Sequence, residues 1–219
     1  MTEQRLVVLI SGRGSNLRAI HQACAGVRLA ARIVAVIANH DKAAGLVWCQ
    51  EHGLPTVVVP HRDFPDRESF DRALAAEIDR HRPDWIILAG FLRQLSNGFV
   101  ESYLGRLVNI HPSLLPAFPG LHTHARALAA GVRWHGATVH FVTPELDAGP
   151  IISQGILPVL AEDDAEALAA RVLALEHRLY PQALGYLLDG SCVLDEGRAL
   201  WRRGYSSPEL LILNPESRG

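Results

Sequence analysis

Little in this chain of 219 residues points toward a membrane, a nucleic acid or a redox partner. Its three cysteines, Cys24, Cys49 and Cys192, are odd in number, far apart and never in a C-x-x-C pair. Neither a disulfide framework nor a cysteine zinc site is indicated, and a reduced, cytoplasmic setting is expected. No apolar run approaches the length of a membrane span. Met1-Thr-Glu-Gln-Arg5 enters an apolar segment directly, without the organisation of a signal peptide. A basic excess is missing too: the formal net charge of −2 gives no support to nucleic-acid binding. Internal repeats, low-complexity tracts and obvious linkers are absent. What is present is ordinary for a soluble globular protein, 48% apolar and 20% charged, and long enough for one large α/β domain.

Apolar runs of strand length alternate with helical patterns through the first half. Leu6–Ile10 is a continuous apolar run, as expected of a strand buried on both faces. A helix is predicted over Leu17–Ala25, a strand near Ile33–Ala38, a helix near Ala43–His52 and a strand at Thr56–Val59. Asp66 caps a helix reaching His81, with Phe70, Leu74 and Ile78 on one face. Trp85–Ala89 is the next buried run, a short helix begins after Ser96, and Leu107–Asn109 is a fifth strand. Strands and helices at this rhythm imply right-handed crossovers and a parallel sheet. The second half reads differently. A helix over His122–Ala130 leads to a strand at Trp134–Val142, which can pair antiparallel with Ile151–Pro158. Ala165–Leu188 carries the longest helical pattern, with a bend or break expected at Pro181. Cys192–Trp201 reads as a hairpin around Glu196-Gly197. The expected class is α/β: a Rossmann-like doubly wound, mostly parallel sheet continuing into a mixed C-terminal half with a long helix. One domain is expected over 1–219, in halves 1–109 and 110–205 with a flexible tail at 206–219.

Three stretches carry chemistry. The strand end Leu107-Val108-Asn109-Ile110-His111-Pro112 delivers an Asn and a His two residues apart, and strand side chains repeat every two residues. Pro112 cannot donate a ladder hydrogen bond and biases His111 toward extended backbone. Two amide donors and a proton near neutral pH suit an oxyanion developing on a carbonyl under attack. Taken alone, the pair reads equally well as a turn-capping Asn and a surface His. The first strand-to-helix turn, Gly12-Arg-Gly14-Ser15-Asn16, offers glycines and a helix amino end to an anion. It lacks the third glycine of a dinucleotide fingerprint, where Leu17 stands, and the lysine of a Walker loop, so a single phosphate monoester is the natural ligand. Asp147, in a Gly/Pro-bounded loop, can orient His111 and favour its charged form. Gly90 allows close approach of a flat ligand, with Phe91, Leu92 and Leu95 as candidate apolar lining. His122, His124, His135 and His140 invite a metal reading. Zinc needs three or four converging ligands, and His122 and His124 diverge at a spacing of two if helical, so no metal is expected.

In order and spacing, Ser-Gly-x-Gly-Ser-Asn, Gly-Phe-Leu-Arg, Asn-Ile-His-Pro-Ser-Leu-Leu-Pro and Leu-Asp-Ala-Gly-Pro resemble one family, the phosphoribosylglycinamide formyltransferases of the folate-dependent formyltransferase superfamily. The resemblance runs from about residue 5 to about residue 203. It implies formyl transfer from 10-formyltetrahydrofolate to the amine of 5′-phosphoribosylglycinamide in de novo purine biosynthesis, with the folate as cosubstrate. It implies catalytic roles for Asn109, His111 and Asp147, and ribonucleotide contacts from Gly14, Ser15, Asn16 and Glu176. The folate site it implies comprises Arg67, Leu92, Arg93, Gln94, Leu95 and Asn109, with the loop Thr143, Pro144, Glu145, Leu146 and Asp147. Thr138 and His140 are implied as supporting residues. Leu173 stands where a polar ribonucleotide contact is usual, and Arg13 and Pro144 also depart from the pattern. Partners are expected to be small molecules, with neither nucleic acid nor membrane, and the protein a monomer or homodimer. Two rivals belong to the superfamily. Methionyl-tRNA formyltransferase is expected to carry a further C-terminal RNA-binding domain, and formyltetrahydrofolate hydrolase a domain before the first strand, whereas here that strand begins at Leu6. A non-catalytic nucleotide- or folate-binding module is the third alternative.

Overall fold

Strand β1 (Gln4–Ile10) is fully buried from Leu6 to Ile10, which is why it reads as an unbroken apolar run rather than an alternating one. In the computed structural model, which describes residues 3–26, 29–202 and 211–212, the chain divides into two units. The first comprises residues 1–109 and 142–144, the second residues 110–141 and 145–219.

The first unit is a parallel sheet with helical crossovers. β2 (Ala31–Ala38) and β4 (Trp85–Leu88) flank β1, β3 (Thr56–Val58) lies beyond β2, and the start of β5 (Leu107–His111) pairs with β4 through Asn109. The helices are α1 (Ser15–Ala25), α2 (Gly45–Glu51), α3 (Arg67–Arg80) and α4 (Asn97–Ser102). Two begin where polar caps demand: the Asp66 carboxylate accepts from Ser69 N at 2.7 Å, and Ser96 Oγ accepts from Phe99 N. Phe70, Leu74 and Ile78 of α3 pack with Val7, Leu9, Ile37 and Ile86 in one apolar core. Asn109 is thereby seated, half-buried, on a largely buried parallel strand pair, and β5 runs two residues beyond its predicted end, to His111.

In the second unit, β6 (Trp134–Phe141) and β7 (Ile151–Pro158) pair antiparallel as expected, with Thr138 opposite Gln154. Two glycines make this pair possible. A Cβ on Gly136 would lie 1.9 Å from the Gly155 carbonyl oxygen, and a Cβ on Gly155 would strike the Leu175 side chain. The remaining helices are α5 (Thr123–Ala129) and α6 (Ala165–Leu188), the latter capped by the Asp164 carboxylate on Ala167 N at 2.8 Å and packed on both strands. Of the bend or break expected at Pro181, the break does not occur: α6 runs through it as one helix. Proline removes one helical N–H, and Leu175, Leu179, Tyr180, Ala183 and Leu184, all buried, hold both sides of it to the same packing. β8 (Cys192–Asp195) and β9 (Arg198–Trp201) form the predicted hairpin, and Glu196 and Gly197 take the positive φ that a tight two-residue turn requires. Of residues 206–219, only Leu211–Ile212 is described, as strand β10 parallel to Gly155–Ile156 of β7; the rest of the expected tail lies outside the described residues. Among the described residues no helix is long and apolar enough to cross a membrane.

Candidate active site

In the first unit, the candidate residues collect at the carboxyl ends of β1 and β4, where open α/β sheets bind ligands. Gly14 adopts φ 69° as the N-cap of α1, a conformation that glycine takes without steric cost, and Ser15 and Asn16 open the helix. A helix amino end suits an anion through its dipole and its first N–H groups. Ser11, which the motif contains but the sequence reading left without a role, joins this turn to the next loop. Its N–H donates to Gly90 O at 3.0 Å, and its hydroxyl oxygen accepts from Leu92 N at 2.8 Å. The first turn and the loop that begins at Leu92 are therefore joined through Ser11, and the turn is further held where Gly45 N donates to Gly12 O and His40 Nε2 to Ser11 O. Leu92 is 74% exposed, available to an apolar ligand, whereas Leu95 is buried in the core. Arg67 lines a cavity of about 560 Å³ along α3 and α4, with Asp71, Arg72, Ser96 and Asn97, and none of Leu92, Arg93, Gln94 and Leu95 borders it. Thr143 and Pro144 also belong to this unit.

In the second unit, His111 is enclosed at the end of β5, only 6% exposed. Its Nδ1 faces Asp147 Oδ2 at 3.4 Å, and its Nε2 donates to Phe118 O at 3.0 Å. Both ring nitrogens thus face oxygen acceptors. Asp147 is fixed in turn, its Oδ2 accepting from Gly120 N at 2.8 Å. The backbone is strained where these contacts are made. Phe118, His122 and Asp147 all hold positive φ, between 52° and 56°, a region non-glycine residues rarely occupy. No residue-type signal marks Phe118 in the sequence, because the usual indicators of that conformation are Gly and Asn.

The other histidines are of a different kind. His124 Nδ1 and His135 Nε2 lie 3.3 Å apart, and burial holds both below the ordinary imidazole range, His135 down to about 4. Burial also lowers His140, whose Nδ1 donates to Phe141 O. These three are neutral rings at pH 7, packed as hydrogen bonders. Thr138 is fully buried and Glu176 nearly so, on β6 and α6. Glu145 and Leu146 are exposed on the loop that carries Asp147. Among the described residues, no group of three or more His, Cys, Asp or Glu could hold a metal ion.

An α/β scaffold with an anion-ready first turn, followed by a buried His–Asp pair, defines a class that comparison makes specific. Residues 4–184 match the formyl transferase family, and the chain belongs to it. Its relatives narrow the family further. The phosphoribosylglycinamide formyltransferase of Escherichia coli is 47% identical over 203 residues, 93% of this chain and 95% of that protein. The trifunctional purine biosynthetic protein adenosine-3 of Drosophila melanogaster is 44% identical over 87% of this chain, which spans 14% of its length. The solved phosphoribosylglycinamide formyltransferase of Coxiella burnetii superposes with a TM-score of 0.86 at 46% identity, covering 91% of this chain and 93% of that one.

Proposed function

We propose that this chain transfers the formyl group of 10-formyltetrahydrofolate to the amine of 5′-phosphoribosylglycinamide, a step of purine biosynthesis. The observation that carries the reading is the His111–Asp147 pair at 3.4 Å, two residues beyond Asn109 on the same strand, in a chain similar over its length to enzymes of that name. The phosphate is assigned to the turn of Gly14, Ser15 and Asn16, and the ribose or glycinamide to Glu176. Folate is assigned to Leu92, Arg93, Gln94, Leu95 and Asn109 with the loop 143–147, and Arg67 to its outer end.

In the reaction, the glycinamide nitrogen attacks the formyl carbon and the carbonyl oxygen takes up the electron pair. Asn109 and His111 donate hydrogen bonds to that oxyanion. His111 Nε2 already donates to the Phe118 carbonyl, and a full negative charge is the stronger acceptor, so the proton is redirected as the charge develops. Asp147, held by Gly120 N, keeps the ring in place and balances its charge. Collapse breaks the bond from carbon to the folate N10, while a proton passes from the attacking amine to N10. No serine or cysteine nucleophile is required, and holding two substrates together supplies much of the rate. The reading makes the protein a cytoplasmic single-domain enzyme of small molecules, monomer or homodimer, with no nucleic-acid or membrane partner. The purified protein with both substrates should produce tetrahydrofolate and formylated ribonucleotide in equal amounts. Hydrolysis of 10-formyltetrahydrofolate without ribonucleotide would instead make it a hydrolase, and binding of both ligands without turnover a binding module.

A further inference from the structure

The turn that follows His111 has to present Phe118 O to the His111 ring, yet neither Pro112 nor Pro116 can donate a backbone hydrogen bond to hold it. The restraint comes from the sheet. Thr138 Oγ1 on β6 donates to Ser113 O at 2.7 Å and accepts from Leu115 N at 3.0 Å. Gln154 on β7, directly opposite Thr138, donates through Nε2 both to Leu115 O at 2.9 Å and to Thr138 Oγ1 at 3.0 Å. With one donor and two acceptor sites, the Thr138 hydroxyl is then fully used. Its single proton is left free for Ser113 O because Gln154 approaches as a donor. Ser113 completes the turn, its N–H donating to His111 O at 2.9 Å and its hydroxyl to Ala117 O at 2.6 Å. The Leu114 side chain lies over Gly136, close enough that a Cβ there would touch it at 3.0 Å. Both backbone groups of Leu115 are thus held by two side chains of the antiparallel pair, and three residues later the chain reaches the carbonyl that orients His111.

We propose that Gln154 is a positioning residue for formyl transfer: its carboxamide sets the 112–118 turn, and through Phe118 O the direction of the His111 ring. This rests on the reading of His111 as the group that meets the oxyanion. Gln154 makes no hydrogen bond or ion pair with His111 or Asp147; its effect is relayed by the backbone. A carboxamide is required, because a carboxylate at this place would oppose Leu115 O with a second acceptor.

The test uses the full chain, with Gln154→Met (similar length, no N–H) and Gln154→Glu (similar shape, no N–H). The expected result is a fall in kcat of about 10-fold or more for both, the scale of a small misplacement of a reacting group, with KM for the ribonucleotide within about 2-fold. Thr138→Ser, which keeps the hydroxyl, should retain kcat, and Thr138→Val should lose it. A second readout does not depend on turnover. Solvent exchange of the His111 Nε2–H, assigned by 15N-histidine NMR against His111→Gln, should quicken at least about 10-fold in the Gln154 variants. Unchanged kcat and unchanged exchange in a folded Gln154→Met would overturn the proposal. So would equal losses in kcat and in both substrate affinities that track a lowered melting temperature and appear in Thr138→Ser as well, since that is general destabilisation. If Gln154→Met does not fold, Gln154→Glu is judged by the same criteria, and a Glu variant with normal kcat and exchange overturns the proposal. A wild-type protein that transfers no formyl group would sink the proposed function, while the exchange measurement would still judge the link between Gln154 and His111.

Discussion

At the scale of single residues, the proposed mechanism separates groups that face reacting atoms from groups that aim them. Asn109→Ala removes one of the two donors proposed for the oxyanion, and kcat should fall about 10²-fold. Ribonucleotide affinity, measured by titration calorimetry, should hardly change, because the phosphate is assigned to the turn of Gly14, Ser15 and Asn16. A near-normal kcat would remove Asn109 from the mechanism. Asp147 makes a different demand. It sits at φ 52°, where Asn is tolerated nearly as well as Asp, so Asp147→Asn should fold and melt like the parent. It retains an oxygen for Gly120 N but loses the charge opposite His111, and kcat should fall about 10-fold or more. A folded Asn variant with full kcat would show that the charge is dispensable.

At the scale of elements, local chemistry and long-range chemistry divide what a sequence can reveal. The caps at Asp66 and Ser96 and the hairpin at Glu196-Gly197 are legible because partner and signal lie within a few residues. The strand–helix rhythm is legible because buried parallel strands must be apolar throughout. Ser11 and Gln154 are not legible as functional parts, since the backbone groups they hold lie 81 and 39 residues away in sequence. The survival of α6 through Pro181 is decided by burial on both sides of the proline, which periodicity alone does not weigh. Two element-scale substitutions follow. Gly136→Ala drives a methyl into the Gly155 carbonyl, backbone against backbone, and should cost about 3 kcal/mol or more of stability by urea titration. At the amino end of α1, Ser15→Asp places a carboxylate where the phosphate is assigned. Ribonucleotide binding should weaken while folate binding persists, and equal loss of both ligands would refute the assignment of that turn.

At the scale of the whole molecule, the buried histidines set a limit on acid tolerance. Burial lowers His124, His135 and His140, so between the ordinary value of 6.5 and the folded value of each ring the unfolded chain binds protons that the folded chain refuses. Stability is therefore unaffected above that range and declines as pH falls through it. His135, fully buried with a value near 4, accounts for up to about 3 kcal/mol of that decline. Urea midpoints should fall steadily below about pH 6.5, and His135→Gln should flatten the slope. Another whole-molecule property follows from the pair Leu211–Ile212. Lying parallel to Gly155–Ile156, they occupy the margin of β7 that β6 does not. A chain cut before Leu211 would leave a row of unanswered N–H and C=O groups, a template on which a second molecule can lay its own strand. Its first symptom would be stickiness rather than slowness: light scattering that climbs with protein concentration while each dilute molecule still turns over normally.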